Sequence, residues 1–215
     1  MRVRTTLTMV TLWCATAHAD VKVDWARGLV IADAVGVADR HAPNPAVARG
    51  TSRRGAEQVA KKQIAERLDD LPLAGGGKIA GKAKDKDVKA RLEHAVDDAI
   101  TLAADPETDG AWKVTLAVPI EAVRQALDGT RPLPETGDAG TKVVVVDGVS
   151  AKPAVGYTIG SLAAPTLWVS QLPEWAKDAP HVKAKRVKGG AIEVSGLDAP
   201  GINATAATLF VIVTK

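Results

Sequence analysis

The segment Arg53-Arg-Gly-Ala-Glu57-Gln-Val-Ala60-Lys-Lys-Gln-Ile64-Ala-Glu-Arg-Leu68 decides the fold class. Ala56, Val59, Ala60, Ile64, Leu68 and Leu71 recur at steps of three and four, while Lys61, Lys62, Glu66, Arg67 and Asp69 fill the positions between. That period predicts one helix from Ala46 to about Leu71, with an apolar stripe facing a core and a charged face in water. Pro43 and Pro45 stand at its entrance, where proline's fixed φ suits a first helical turn. Upstream, Val21, Val23 and Trp25 alternate with Lys22 and Asp24, and Leu29–Val37 is a mixed apolar run containing Gly36. These read as two strand pieces broken near Arg27-Gly28.

Downstream, Ala74-Gly-Gly-Gly-Lys78 is a flexible break, Lys78–Ala80 a short strand and Lys82–Asp87 a charged turn. Helical spacing resumes over Asp87–Ala104 through Val88, Leu92, Ala95, Val96, Ala99, Ile100 and Ala103, and Pro106 and Asp109-Gly110 end it. Ala111–Val118 alternates as a strand, and Pro119 opens a short helix through Leu127. Residues 129–140 collect Gly, Pro and Thr, the composition of a linker. The character then changes. Lys142–Asp147 carries four consecutive valines, a buried strand by length and β-branching. Tyr157–Ile159, Thr166–Ser170, Val182–Val187, Ala191–Val194 and Thr208–Thr214 follow as short strands between Gly and Pro, with no long helix. The expected fold is α+β. Residues 20–128 form a sheet with two main helices packed on it, and residues 141–215 form a smaller β-rich domain.

Residues 1–19 read as a secretory signal peptide. Arg2 and Arg4 precede the short apolar run Thr5–Ala17, and Ala17-His18-Ala19 sets small residues before a cut between Ala19 and Asp20. The run is too short and too rich in threonine for a membrane span of about 20 apolar residues. Cys14 follows Trp13, where a lipid-modified cysteine requires a small neighbour, and the two arginines are not adjacent as a twin-arginine signal demands. A periplasmic or secreted address is expected, with outer-membrane association as a further option. That compartment lacks ATP, NAD and the cytosolic reducing pool. The leader holds two arginines and no acid, so the 28 basic and 25 acidic residues of the whole chain become 26 and 25, a net +1. Such a balance gives no electrostatic footprint for nucleic acid. The only cysteine leaves with the leader, so apolar burial must hold the fold without disulfides.

Catalytic, metal and cofactor motifs fail one by one. Gly76-Gly-Lys-Ile-Ala-Gly81-Lys82 imitates a phosphate loop, but Ala83 stands where a magnesium-holding hydroxyl is needed and a helix precedes it. Asp105, Glu107, Asp109 and Gly110 imitate a calcium loop whose twelfth position is Leu116, without a carboxylate. His41, His94 and His181 lie in different segments with no second ligand at helical spacing. No serine sits in a nucleophile motif, and Asp69-Asp70 and Asp97-Asp98 are neighbours whose side chains diverge. No catalytic residue, cofactor or metal is therefore assigned.

Two features point to binding. Trp168 and Trp175 lie in Pro165–Pro180 of an aromatic-poor chain, and tryptophans are favoured interface anchors. Burial of both in the core of a small β domain is the favoured explanation. The cluster His181-Val-Lys183-Ala-Lys185-Arg186-Val-Lys188 would, on a regular strand, put Lys183 and Lys185 on one face and Arg186 and Lys188 on the other. It could meet anionic lipid at the membrane periphery, lipopolysaccharide or peptidoglycan. A lysine-guarded edge strand explains the same pattern.

The helix Arg53–Leu68, followed by Asp109-Gly110-Ala-Trp112-Lys-Val114-Thr-Leu116-Ala-Val118-Pro119 leading into a helix, resembles the LPP-twenty-like family of outer-membrane lipoproteins. That family is in turn similar to the N-terminal part of flagellar assembly protein T. Val143-Val-Val-Val-Asp147 and Lys152-Pro153-Ala154-Val155 resemble the next segment of longer relatives. The resemblance implies an envelope component and brings no catalytic signature. The expected function is an exported, non-catalytic envelope protein that binds another protein or a surface polymer. The alternative is a periplasmic small-ligand binder using a cleft between the two halves.

Overall fold

A computed structural model describes residues 21–39, 41–129, 142–197 and 199–214. Ala19, Asp20 and the expected linker residues 130–140 lie outside the described residues. The fold is α+β, built on two sheets.

The first sheet is antiparallel in the order β1-β2-β4-β3, from β1 (Val21–Asp24), β2 (Leu29–Gly36), β3 (Ile100–Pro106) and β4 (Trp112–Pro119). Helix α1 (Pro45–Asp69) starts where Asn44 Oδ1 accepts the Val47 N–H at 3.0 Å, with Pro45 in the first turn. Its buried residues Ser52, Ala56, Ala60, Ile64 and Leu68 recur every four positions and pack against Val30, Ala32 and Ala34 of β2 and Val114, Leu116 and Val118 of β4. The stripe grades from small side chains to large ones. At the small end the helix comes down onto β2: Ser52 Oγ donates to the Gly36 carbonyl at 2.6 Å.

Two expectations for this half are corrected. The second helix, α3 (Lys86–Asp97), stops seven residues before Ala104, and Ile100–Ala104 belongs to β3. Val96, Ile100 and Ala103 fit a helical spacing, but Asp98 closes α3 with its N–H on the His94 carbonyl. Lys61 Nζ then takes the Asp97 carbonyl at 2.7 Å, meeting one of the acceptors a helix end leaves open. The open edge of β4 recruits Ile100–Pro106, and tertiary pairing overrides local period. Likewise Lys78–Ala80 is no strand. Lys78 makes a single bridge to Pro72, and Ile79, fully buried, begins the one-turn helix α2 (Ile79–Lys82). Helix α4 (Ile120–Asp128) then closes on Gly129, whose φ of 69° is the left-handed stop that glycine supplies.

The second sheet is mixed, in the order β7-β6-β10-β9-β5-β11-β8. Its strands are β5 (Val143–Val149), β6 (Thr158–Ile159), β7 (Leu162–Ala163), β8 (Thr166–Val169), β9 (His181–Lys188), β10 (Ala191–Ser195) and β11 (Leu209–Thr214). Strands β9, β5, β11 and β8 run parallel. The four valines are explained by burial on both faces. Val144 and Val146 enter a large core with Tyr157, Trp168, Phe210 and Ile212. Val145 enters a smaller core with Val169, Ala176 and Val211 beneath the 3-10 turn Glu174–Ala176.

The halves touch through backbone. The Trp168 N–H donates to the Trp25 carbonyl at 3.0 Å, and Trp25 packs against both large cores. The Ala74 N–H reaches the Val155 carbonyl at 2.9 Å, while Val155 sits in the first core. A Cβ on Gly190 would come within 3.1 Å of the Gly75 backbone nitrogen, so glycine permits that close approach.

Candidate functional site

Each expected binding residue has a definite place. Trp168, on β8, is 4 % exposed and stacks on Tyr157 with ring centres 5.1 Å apart and planes tilted by 54°. It is core, which corrects its reading as a surface anchor: Trp168 pairs with Ile212 of β11 and shares its face, so both enter the large core. Trp175 is different. It rides on the 3-10 turn whose Ala176 is buried in the small core, and 58 % of it is exposed.

Burial pushes the Tyr157 phenol above its ordinary value of 10.0. Since Tyr157 is the chain's only tyrosine, phenolate absorbance reports it alone. Its titration midpoint is expected above 10.0 in native protein and near it in denaturant. A raised folded value means that this contribution to stability is complete below the unfolded value and is lost as pH climbs through the folded one. The melting temperature should therefore fall as the solution becomes alkaline through that window, and a native midpoint equal to the denatured one would refute the burial.

Strand β9 lies between β10 and β5, but β5 pairs only with its first three residues, so residues 184–188 keep an open edge on that side and the guarded-edge explanation still holds for Lys185 and Lys188. Parallel partners share a face, so the pairing of Val145 with His181 and of Asp147 with Lys183 sets both β9 residues on the side of the small core. Val182 faces the large core. Regular alternation would next turn Arg186 and Lys188 inward. It does not, because the register with β10 goes from Glu193–Arg186 directly to Val194–Ala184, leaving Lys185 as the extra residue of a β-bulge. The bulge resets the alternation, so Lys183, Arg186 and Lys188 share one face, contrary to the expectation for a regular strand. Lys183 and Lys185 are both exposed.

The charges on this face are partly paired. His181 Nδ1 lies 2.7 Å from Asp147 Oδ2. Arg186 Nη2 donates to Glu193 Oε1 at 2.6 Å, and that bond holds the Glu193 carboxyl below its ordinary value against the opposing effect of burial, with the charges of Arg186, Lys188 and Lys185 adding to it. Arg186 is raised by the same bond. Past Asp147–Lys183, β5 and β9 part. The fork holds a crevice of about 260 Å³ lined by Gly148, Ser150, Ala184, Lys185, Arg186 and Val187.

Arg186, Lys188 and Glu193 were not expected on this face. The signal was present: Val182, Ala184 and Val187 cannot all point inward at a period of two, so an extra residue is required between them. Gly189-Gly190, both with positive φ, anchors the hairpin register from the other end.

A second recess, of about 520 Å³, lies between the halves, where the Ala74–Gly76 loop, Gly156 and Gly189-Gly190 meet Lys82, Arg124, Asp128 and Thr158. Arg124 is held there by Glu121 at 2.6 and 2.8 Å and by Asp128 at 2.9 Å. The phosphate-loop imitation opens into a helix of four residues only. In the calcium-loop imitation, Asp109 Oδ1 accepts the Ala111 N–H at 2.9 Å and shapes a turn. Among the described residues no three His, Cys, Asp or Glu side chains gather at a position that could hold a metal, and no helix is long and apolar enough to cross a membrane. Compared with known families and with curated proteins, the chain matches no family model and no curated protein.

Proposed function

We propose that this chain is an exported, non-catalytic envelope component that binds a partner protein or an anionic surface polymer through the β9–β10 face and Trp175. One observation carries the reading: the bulge at Lys185 brings Lys183, Arg186 and Lys188 onto the sheet face over which the Trp175 turn is packed. An exposed indole offers a large, rigid contact area, and cations around it give orientation and attraction to acidic groups. Export is supported by the leader reading of residues 1–19, and the resemblance to the LPP-twenty-like family points the same way.

The test uses the cleaved chain and two insoluble ligands, peptidoglycan sacculi and vesicles containing lipopolysaccharide. Wild type is expected to sediment with one of them at low salt and to be released as salt rises. Trp175→Ala and the pair Lys183→Glu with Lys188→Glu should each cut retention at least several-fold at unchanged melting temperature. Equal retention by folded variants would overturn the reading. Sequencing the N-terminus of protein recovered from a cell fraction tests the export step, with Asp20 as the expected first residue.

The recess between the halves favours a second reading, a periplasmic binder of a small polar ligand. Its glycine walls leave backbone open to close approach. A panel of small metabolites that never shifts the melting temperature would count against it.

A further inference from the structure

We infer that the fork between β5 and β9 is a recognition pocket for a single oxyanion, a carboxylate or a phosphate group, carried by the polymer that the β9–β10 face meets. This rests on the binding-face reading and specifies what the face recognises. Three structural facts lead to it.

The first is the lining. Lys185, Arg186 and Ser150 are among the residues that line the crevice, and no acidic residue is. Those are hydrogen-bond donors of the kind that hold an oxyanion. Glu193 takes Arg186 through Nη2 alone, so Nε and Nη1 stay outside that bond. The second is the aim of Lys185. As the extra residue of the bulge it has no partner across the strand pair, and bulges of this kind re-aim a side chain out of the pleat. On a regular strand the same lysine would accompany Lys183 onto the open face. Here it borders the fork instead. The third is the backbone. Beyond Lys183 the β5-facing edge of β9 has no strand partner, so main-chain polar groups border the same space. The crevice, at about 260 Å³, has room for one charged group together with the residue that carries it. A polymer would be read one anionic group at a time, its neutral parts lying over the exposed face toward Trp175.

Glu193 makes the inference sharp. It competes with any incoming anion for Arg186, and its charge offsets Lys185 and Lys188. Removing that charge should improve the pocket, whereas a merely structural ion pair would give no gain in binding.

The experiment is a titration of amide resonances of the cleaved chain with inorganic phosphate, with glucuronate, and with glucose as the neutral control. Phosphate or glucuronate is expected to shift the amides of Ser150, Lys185 and Arg186, and glucose is not. Lys185→Ala should weaken that binding about tenfold, the scale of one lost charge-assisted hydrogen bond. Glu193→Gln should tighten it several-fold. Lys183→Ala, which removes a cation from the face but not from the crevice, should leave it within about twofold. A response to phosphate alone assigns the polymer to the phosphate-bearing class, and a response to glucuronate alone to the uronate class. Absent shifts at the fork, or affinity indifferent to Lys185→Ala and Glu193→Gln, would overturn the pocket while leaving polymer retention by Trp175 and Lys183 to stand on its own. Fork binding of either probe without retention of sacculi or vesicles would remove the envelope-binding reading and keep the pocket.

Discussion

Gly36→Ala is expected to be among the most damaging single-methyl additions in the first half of the chain. A Cβ at Gly36 would lie 1.8 Å from the Ser52 carbonyl oxygen, 2.8 Å from its carbonyl carbon and 2.9 Å from the Ala56 nitrogen. All three atoms are backbone of α1, so no side chain can rotate out of the way. The helix cannot slide freely either, because Ala56, Ala60, Ile64 and Leu68 anchor it in the core. Relief requires lifting its N-terminal half off β2, which breaks the Ser52–Gly36 hydrogen bond and opens the small-residue end of the core. Overpacking costs about 1–3 kcal/mol where neighbours can shift and more where they cannot, and the buried hydrogen bond adds about 1 kcal/mol. A loss of roughly 4 kcal/mol is expected, a large share of a total stability near 5–15 kcal/mol. At this chain length the melting temperature should fall by roughly 8–16 °C, measured by circular dichroism. Ser52→Ala, which loses only the hydrogen bond, should cost a third of that or less. If Gly36→Ala melts within about 2 °C of wild type, α1 does not sit on β2 as described.

The same contact shows what the sequence could and could not disclose. The helix over Arg53–Leu68 was legible because its apolar period runs for several turns, longer than any strand could sustain. The four valines were legible because a run buried on both faces needs no alternation. Gly36 was visible as a residue, but its reason was not, since it depends on Ser52, sixteen residues away on a helix. Strand β3 was hidden for a related cause. Val96, Ile100 and Ala103 satisfy a helix as well as an edge strand, and the deciding factor is the unpaired side of β4, a non-local partner. In the candidate site, the cations were legible as a group and their common face was not. Val187 breaks the alternation begun by Val182 and Ala184, a parity signal that marks the bulge only once β9 is known to pair with β10. Local composition separated the tryptophans better than their shared segment did. Trp168 stands in Thr-Leu-Trp-Val, an apolar strand context, and Trp175 in Pro-Glu-Trp-Ala-Lys, a polar turn.

Trp168→Ala is expected to destabilise the second sheet by about 3–5 kcal/mol, the range for deleting a buried aromatic side chain. The ring is 4 % exposed and packs in the core that also holds Tyr157, Phe210 and Ile212. Its loss leaves a cavity under Tyr157 while the backbone bond from Trp168 to Trp25 survives the substitution. The indole N–H, by contrast, is buried with no hydrogen-bond partner, so it contributes nothing that a hydrocarbon ring would forfeit. Trp168→Phe should therefore retain most of the stability, losing only ring area. Two measurements check this together. The urea midpoint should fall strongly for the alanine variant and slightly for the phenylalanine variant. The phenolate midpoint of Tyr157 should move back toward its ordinary value in the alanine variant, because water entering the cavity removes the burial that raised it. Trp175→Ala should leave both readings within error, since exposed positions rarely change stability by more than about 0.5 kcal/mol. The contrast separates the two tryptophans: Trp168 is packed in the core of the β-rich half, and Trp175 is exposed. Coincident melts for wild type and Trp168→Ala would place Trp168 outside the core and return it to the candidate surface.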